Sequence, residues 1–132
     1  MALPVDLGTS GCKCALVALD GTVHAWAFRP VTLHVQGAQA EQSPDDWWEA
    51  FVQGAQEVLA AEDGMRERVV AVCCSTQTEG TVCVDAQGRA IGRALTWLDA
   101  RGAAAIARRV RGAVLNIEGY APLKLWRWLR LT

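Results

Sequence analysis

A surplus of charge is the first thing missing from this chain: 13 basic residues face 14 acidic ones, for a formal net charge of −1 over 132 residues. That balance supplies no global field for nucleic acid or anionic lipid, so no nucleic acid and no membrane are expected as partners. No apolar run approaches the span of a bilayer, and Met1-Ala2-Leu3-Pro4-Val5-Asp6 has neither a basic segment nor an apolar stretch of secretory length. The expectation is a cytoplasmic protein. Histidine is nearly absent, with only His24 and His34, and the five cysteines lack the C-x₂-C spacing of a zinc site, which argues against a metal cluster. Their odd number and their setting in apolar, strand-like runs suggest buried free thiols. There is no G-x-x-x-x-G-K-[ST] loop, internal repeat, low-complexity tract or dividing linker. One domain follows, long enough to bury roughly two-thirds of the surface its unfolded form exposes.

What is present begins with Asp6-Leu7-Gly8-Thr9-Ser10-Gly11, between the apolar runs Ala2 to Val5 and Cys12 to Leu19. It reads as a phosphate-gripping turn between two strands. Gly8 and Gly11 lack a Cβ, which permits φ > 0 and a close approach of backbone N–H groups to an anion. Thr9 and Ser10 add hydroxyl donors, Asp6 suits a hydrated Mg²⁺ that bridges phosphate oxygens, and Lys13 offers a point charge beyond the turn. A tight hairpin needs the same residue types, and that structural alternative stays open here.

Residues 2 to 30 have the pattern of a three-stranded meander, Ala2 to Asp6, Cys12 to Leu19 and Thr22 to Phe28, with Asp20-Gly21 as a type I′ turn. Residues 31 to 42 are polar and Gln-rich and read as a loop. Ser43 then caps a helix whose first residue is Pro44, with Asp45 and Asp46 where the helix dipole favours negative charge. That helix runs to about Ala61, places Trp47, Phe51, Val58 and Leu59 near one face, and ends at Glu62-Asp63-Gly64. Val69 to Cys74 is a continuous β-branched apolar run, the pattern of a parallel strand buried on both faces, with the helix as its crossover. Beyond it lie a short strand at Thr81 to Asp85, a turn at Ala86-Gln87-Gly88, another strand near Ala94 to Trp97, and helices expected over Asp99 to Val110 and from Pro122.

Ser75-Thr76-Gln77-Thr78-Glu79-Gly80 lies at the carboxyl end of the proposed buried strand, the edge where open α/β sheets place ligands. If that strand pairs in parallel with the first, this loop and the Asp6 turn share one edge. Gln77, Thr78 and Glu79 offer paired donors and acceptors to sugar hydroxyls, Trp97 offers a flat face to a sugar ring, and Asp99 and Arg101 extend the polar rim. The plainer reading makes 77 to 79 a solvated loop, Trp97 core, Asp99 a helix cap and Arg101 exposed.

Taken in order, these segments resemble the amino-terminal portion of the FGGY family of carbohydrate kinases, over nearly the whole chain. Asp6-Leu7-Gly8-Thr9-Ser10 with Lys13 is similar to the family's first phosphate motif, and Glu41 to Trp48 to its acidic approach to the first helix. Ser75 to Gly80 with Trp97, Asp99 and Arg101 is similar to its sugar-binding segments, and Gly119-Tyr120-Ala121-Pro122-Leu123-Lys124 to a later one. Thr78-Glu79 stands where xylulokinase-like members carry Met-His, and Glu79 where a glycerol-kinase-like member also has glutamate. The acceptor therefore stays unnamed.

The resemblance implies an actin-like ATPase, ribonuclease-H-like α/β fold: a mixed sheet with an antiparallel meander and crossover helices, here incomplete. It implies ATP and Mg²⁺ as cofactors and a sugar or polyol hydroxyl as phosphoryl acceptor. By the same match Gly8, Thr9, Ser10 and Lys13 face phosphate, Asp6 holds Mg²⁺ through water, and Gln77, Thr78, Glu79, Trp97, Asp99 and Tyr120 line the sugar pocket. Family members are several times longer and carry their catalytic base and adenine-binding domain beyond this length. Residues 1–132 are thus expected to be a partial N-terminal domain, inactive alone, whose partners are the acceptor, a missing C-terminal domain or a second copy. The rival expectation is a non-catalytic module that docks through the Trp- and Arg-rich stretch Leu123 to Leu131.

Overall fold

The structure, a computed structural model, describes residues 1–103. They are α/β and fall into two compact units, one built from Met1–Thr32 and Asp45–Gln77, the other from Leu33–Pro44 and the described residues from Thr78. The helix expected from Asp99 lies largely outside the described residues, as do the Pro122 helix, Tyr120 and the Leu123 to Leu131 stretch.

The first unit is a four-stranded mixed sheet with one α-helix and a short 3₁₀ helix at Arg66–Arg68. Its strands are β1 (Ala2–Gly8), β2 (Gly11–Val17), β3 (Val23–Pro30) and β6 (Ala71–Thr76), in the order β3-β2-β1-β6. β1, β2 and β3 form the expected antiparallel meander. β6 runs parallel to β1, with Asp6 opposite Ser75 and Leu7 opposite Thr76. Alternation decides which face is buried: Cys12, Cys14 and Leu16 on β2 are wholly inside while Lys13 between them is exposed.

Helix α1 (Pro44–Leu59) covers that face. Its buried residues are Ala50, Gly54, Ala55 and Val58, with Trp47, Phe51 and Leu59 packed at the margins. The apolar stripe is therefore centred on small residues, not on the aromatic ones that the spacing picked out. Small side chains let helix and strand come close: a Cβ on Gly54 would sit 3.0 Å from the Cys14 Sγ. Leu3, Val5, Leu16, Val58 and Met65 complete the core, each large aliphatic side chain worth about 1.5–3 kcal/mol when fully buried.

Three expectations for this unit are corrected. The turn after β2 is not type I′, because Gly21 (φ 91°) takes a positive φ and Asp20 does not. Gly21 N–H donates to the Ala18 carbonyl at 3.0 Å and Ala18 N–H to the Thr22 carbonyl at 2.8 Å, a type I turn followed by a glycine bulge, and the β2–β3 register shifts at Leu16/Val17. The run Val69 to Cys74 does make a strand, but every residue of β6 is exposed. It is the outer strand of the sheet, paired only with β1 among the described residues, so an apolar composition specified strand without specifying burial. Cys73 and Cys74 are accordingly exposed thiols, whereas Cys12 and Cys14 are buried and Cys83 is intermediate. Burial, and then the neighbouring Cys12, push the Cys14 thiol up to about 12.

The second unit holds a three-stranded sheet where residues 31 to 42 were expected to be a loop. β4 (His34–Gln36) and β5 (Gln39–Gln42) form a hairpin around Gly37 (φ 58°), and β7 (Ala94–Leu95) adds to β5 with Glu41 opposite Leu95. Glutamine-rich strands carry little hydrophobic signal, yet Gln42 is wholly buried. Thr81 to Asp85 forms isolated bridges, Thr81 to Leu95 and Val84 to Ala90, instead of a strand. The turn at Ala86-Gln87-Gly88 is present, closed by Asp85 N–H to the Arg89 carbonyl at 2.8 Å.

Candidate functional site

The β1–β2 turn is the tightest link in the first unit: Gly8 pairs with Gly11, leaving Thr9 and Ser10 at the tip. Ser10 is fixed from the far side of β2, its carbonyl accepting from Val31 N–H at 3.2 Å. The two glycines have different reasons to be there. At Gly11 (φ +156°) a Cβ would run into the Arg29 carbonyl oxygen and lie 2.7 Å from the Phe28 ring, so glycine is demanded by β3. Gly8 is not among the positive-φ glycines, and a Cβ there would meet only the Gly11 carbonyl at 3.6 Å. The expected left-handed backbone at Gly8 is therefore absent, and its neighbours leave a Cβ ordinary room.

Asp6 and Lys13 are cross-strand partners, and their side chains form an ion pair at 3.0 Å, both about half exposed. They stand at the rim of a groove of about 480 Å³ on the sheet face opposite α1, whose other walls include Pro4, Ala15, Trp26 and Cys73. A half-exposed carboxylate beside an ammonium, next to a turn carrying two hydroxyls, is donor chemistry that fits a metal-bridged polyphosphate. Asp6 is the residue that would hold the metal, and Lys13 the one that would meet phosphate oxygen.

Parallel pairing of β1 and β6 brings the end of β6 to the same edge as the turn. Gln77 N–H donates to the Leu7 carbonyl at 2.8 Å, and the Thr9 hydroxyl donates to the Gln77 carboxamide oxygen at 3.2 Å. Gln77 thus shares an edge with the expected phosphate turn within one unit.

Thr78, Glu79, Trp97 and Asp99 belong to the second unit. Glu79 has φ 58°, and among the described residues it is the only non-glycine with positive φ. For a glutamate this conformation costs about 1–3 kcal/mol, the kind of local strain that concentrates at ligand sites. No sequence signal pointed to it. Trp97 is partly exposed at a turn in which Asp99 N–H donates to the Thr96 carbonyl at 3.0 Å.

Arg101 differs from both sequence readings, being neither at an open rim nor in solvent; Asp99 is buried away from an open rim, yet it accepts the Arg101 N–H as a helix cap would, the helix beyond it lying largely outside the described residues. Asp99 is 3% exposed, and its carboxylate accepts from Ala40 N–H at 3.1 Å, from Arg101 N–H at 3.2 Å and from Arg101 Nε at 2.8 Å. Arg101 also pairs with Glu41, and both side chains are mostly buried. Burial alone would raise the Asp99 carboxyl, but bonds from Arg101 and Ala40 and the guanidinium charge hold it below its ordinary value. Burial likewise works against the guanidinium, and Asp99 and Glu41 together keep Arg101 above its usual range. Glu41, which the family resemblance placed only at the approach to the first helix, is a member of this cluster that sequence reasoning missed. Its position opposite Leu95 across β5–β7 could be found only once the hairpin was known.

Among the described residues no helix is long and apolar enough to cross a membrane.

Residues 1–120 match the model of the FGGY family of carbohydrate kinases, N-terminal domain. The chain is 29% identical to a xylulose kinase of Staphylococcus epidermidis, covering 96% of this chain and 27% of that protein. It is 32% identical to a glycerol kinase of Xanthobacter autotrophicus, covering 92% of this chain and 24% of the relative. The chain thus spans about a quarter of the length of these relatives. The crystal structure of Plasmodium falciparum glycerol kinase with ADP superposes with a TM-score of 0.79 over 98% of this chain and 29% of that one, at 12% identity, a likeness of fold.

Proposed function

Because the chain belongs to the FGGY family of carbohydrate kinases, we propose that it serves ATP-dependent phosphorylation of a sugar or polyol hydroxyl, with residues 1–132 forming the N-terminal portion of such a kinase. Asp6, Gly8, Thr9, Ser10 and Lys13 meet the phosphates and Mg²⁺, with Asp6 holding the metal through water. Gln77, Thr78, Glu79, Trp97 and Tyr120 line the acceptor pocket, and Asp99 shapes it. Tyr120 lies outside the described residues. Bound MgATP would supply the phosphoryl group and neutralise its charge; the residues of this chain position and orient, which is most of what a loose phosphoryl-transfer transition state asks of a protein.

The observation that carries the reading is the shared edge. The Asp6–Lys13 pair, the Thr9-Ser10 tip and Gln77 are gathered at one end of two parallel strands, the end where α/β sheets bind ligands. The acceptor class is suggested by relatives that are named for xylulose and for glycerol.

Tryptophan fluorescence provides the test. Titration of the 132-residue chain with D-xylulose, glycerol and MgATP should give saturable changes for MgATP, weakened by salt as exposed charges are, and for at least one uncharged acceptor, insensitive to moderate salt. A flat response to all three, or a response to DNA or anionic vesicles that salt abolishes, would overturn the proposal.

A further inference from the structure

Ala40 on β5 has both of its backbone groups claimed by the two residues that flank Trp97-Leu98. Its N–H donates to Asp99 Oδ2 at 3.1 Å, while its carbonyl accepts from Thr96 N–H at 3.1 Å and from the Thr96 hydroxyl at 3.0 Å. Asp99 N–H closes the turn onto the Thr96 carbonyl, so Trp97 stands on a two-residue corner pinned at both ends to one residue. Beneath it lies the ion cluster: the Arg101 guanidinium engages Asp99 and, through its other arm, Glu41.

Stability alone is a poor reason for such a cluster. Two carboxylates and one guanidinium, all mostly buried, lose their hydration, and apolar side chains of similar volume would commonly do as well or better. What the cluster adds is geometry. The planar guanidinium fork fixes the separation and orientation of the two carboxylates. One carboxylate is on β5, next to Ala40, and the other holds the Trp97 corner.

We propose that Glu41 and Arg101 are positioning residues for the acceptor site: through Asp99 they lock the Thr96–Asp99 turn to β5 and so set where the Trp97 ring meets a sugar or polyol. The inference rests on the proposed role of Trp97 and extends it. Neither residue touches the acceptor; each acts through Asp99.

The test uses the 132-residue chain labelled with 5-fluorotryptophan, the Trp97 and Trp26 signals being assigned with Trp97→Phe and Trp26→Phe. In Arg101→Met and in Glu41→Gln the Trp97 fluorine resonance should shift and broaden while Trp26, in the other unit, stays unchanged. The Kd for whichever of glycerol or D-xylulose the wild type binds should rise about ten-fold, the scale of one lost orienting interaction. Arg101→Lys, which keeps the charge and loses the fork, should fall between wild type and Arg101→Met in both readouts. An unmoved Trp97 resonance in both variants, or a moved one with unaltered Kd, would overturn the inference. If Arg101→Met loses signal dispersion altogether, Glu41→Gln decides, since it removes one charge and keeps the shape. If the wild type binds neither acceptor, the proposed function fails on that result, and the fluorine spectra alone judge whether the pair holds Trp97.

Discussion

The Thr9 hydroxyl donates to the Gln77 carboxamide oxygen at 3.2 Å, joining two residues 68 positions apart. One belongs to the turn expected to face phosphate, the other to the loop expected to face the acceptor. The bond sits beside the last backbone link of the β1–β6 pair, Gln77 N–H to the Leu7 carbonyl. A ligand that engaged one of these side chains would therefore act on the orientation of the other.

The two turn glycines should separate structural from functional demand. Gly11→Ala forces a Cβ against the Arg29 carbonyl and the Phe28 ring and should lower unfolding free energy by about 1–3 kcal/mol, the usual cost of overpacking. Gly8→Ala has room and should stay within about 0.5 kcal/mol of wild type in urea unfolding. A loss of MgATP affinity in Gly8→Ala at preserved stability is the expected signature of backbone approach to phosphate; unchanged affinity would remove Gly8 from the site.

Asp6→Ala should leave the fold intact. An ion pair this exposed contributes about 0–1 kcal/mol, so circular dichroism and thermal unfolding should change little while MgATP binding weakens several-fold. Collapse of the fold instead would give Asp6 a structural role.

Glu79→Gly should relieve left-handed strain at φ 58° worth on the order of 1 kcal/mol, set against the extra chain entropy of glycine and the loss of the glutamate side chain's own interactions, so that urea unfolding moves by less than about 1 kcal/mol. The same variant should bind the acceptor more weakly. Equal affinity in the two proteins would show that the strain serves the loop and not the ligand.

The Asp99 cluster gives acid stability a defined sign. Its folded carboxyl titrates below its ordinary 3.8, so the stability it contributes is present above that value and lost as pH falls through the lower, folded one. Asp99→Asn should destabilise the chain at neutral pH by about 3 kcal/mol, because it leaves Arg101 buried against Glu41 alone. The gap between variant and wild type should then narrow as pH drops below 3.8. A gap independent of pH would mean that Asp99 is not held ionised by the cluster.

Much of the first unit was legible because its signals are local and periodic. Alternation in Cys12 to Leu16, the Pro44 start of α1 and the apolar run before Ser75 each depend on a few neighbouring residues. The second unit was not, since its strands are short and rich in glutamine, and the partner of Glu41 and Ala40 lies about 60 positions away, as the Glu41–Arg101 and Ala40–Asp99 bonds show. Spacing named Asp99 and Arg101 as important but had no means of telling a rim from an interior. The strain at Glu79 belongs to backbone geometry, for which composition offers no cue.

β6 carries Val72 and follows Val70, both well exposed, and its outer hydrogen-bonding groups meet no strand among the described residues. Such a border is adhesive towards any extended peptide, including its own kind. The described residues therefore lead to one expectation for handling: if the border stays open in solution, light scattering should rise with protein concentration, and a charged replacement at Val70 or Val72 should lower it.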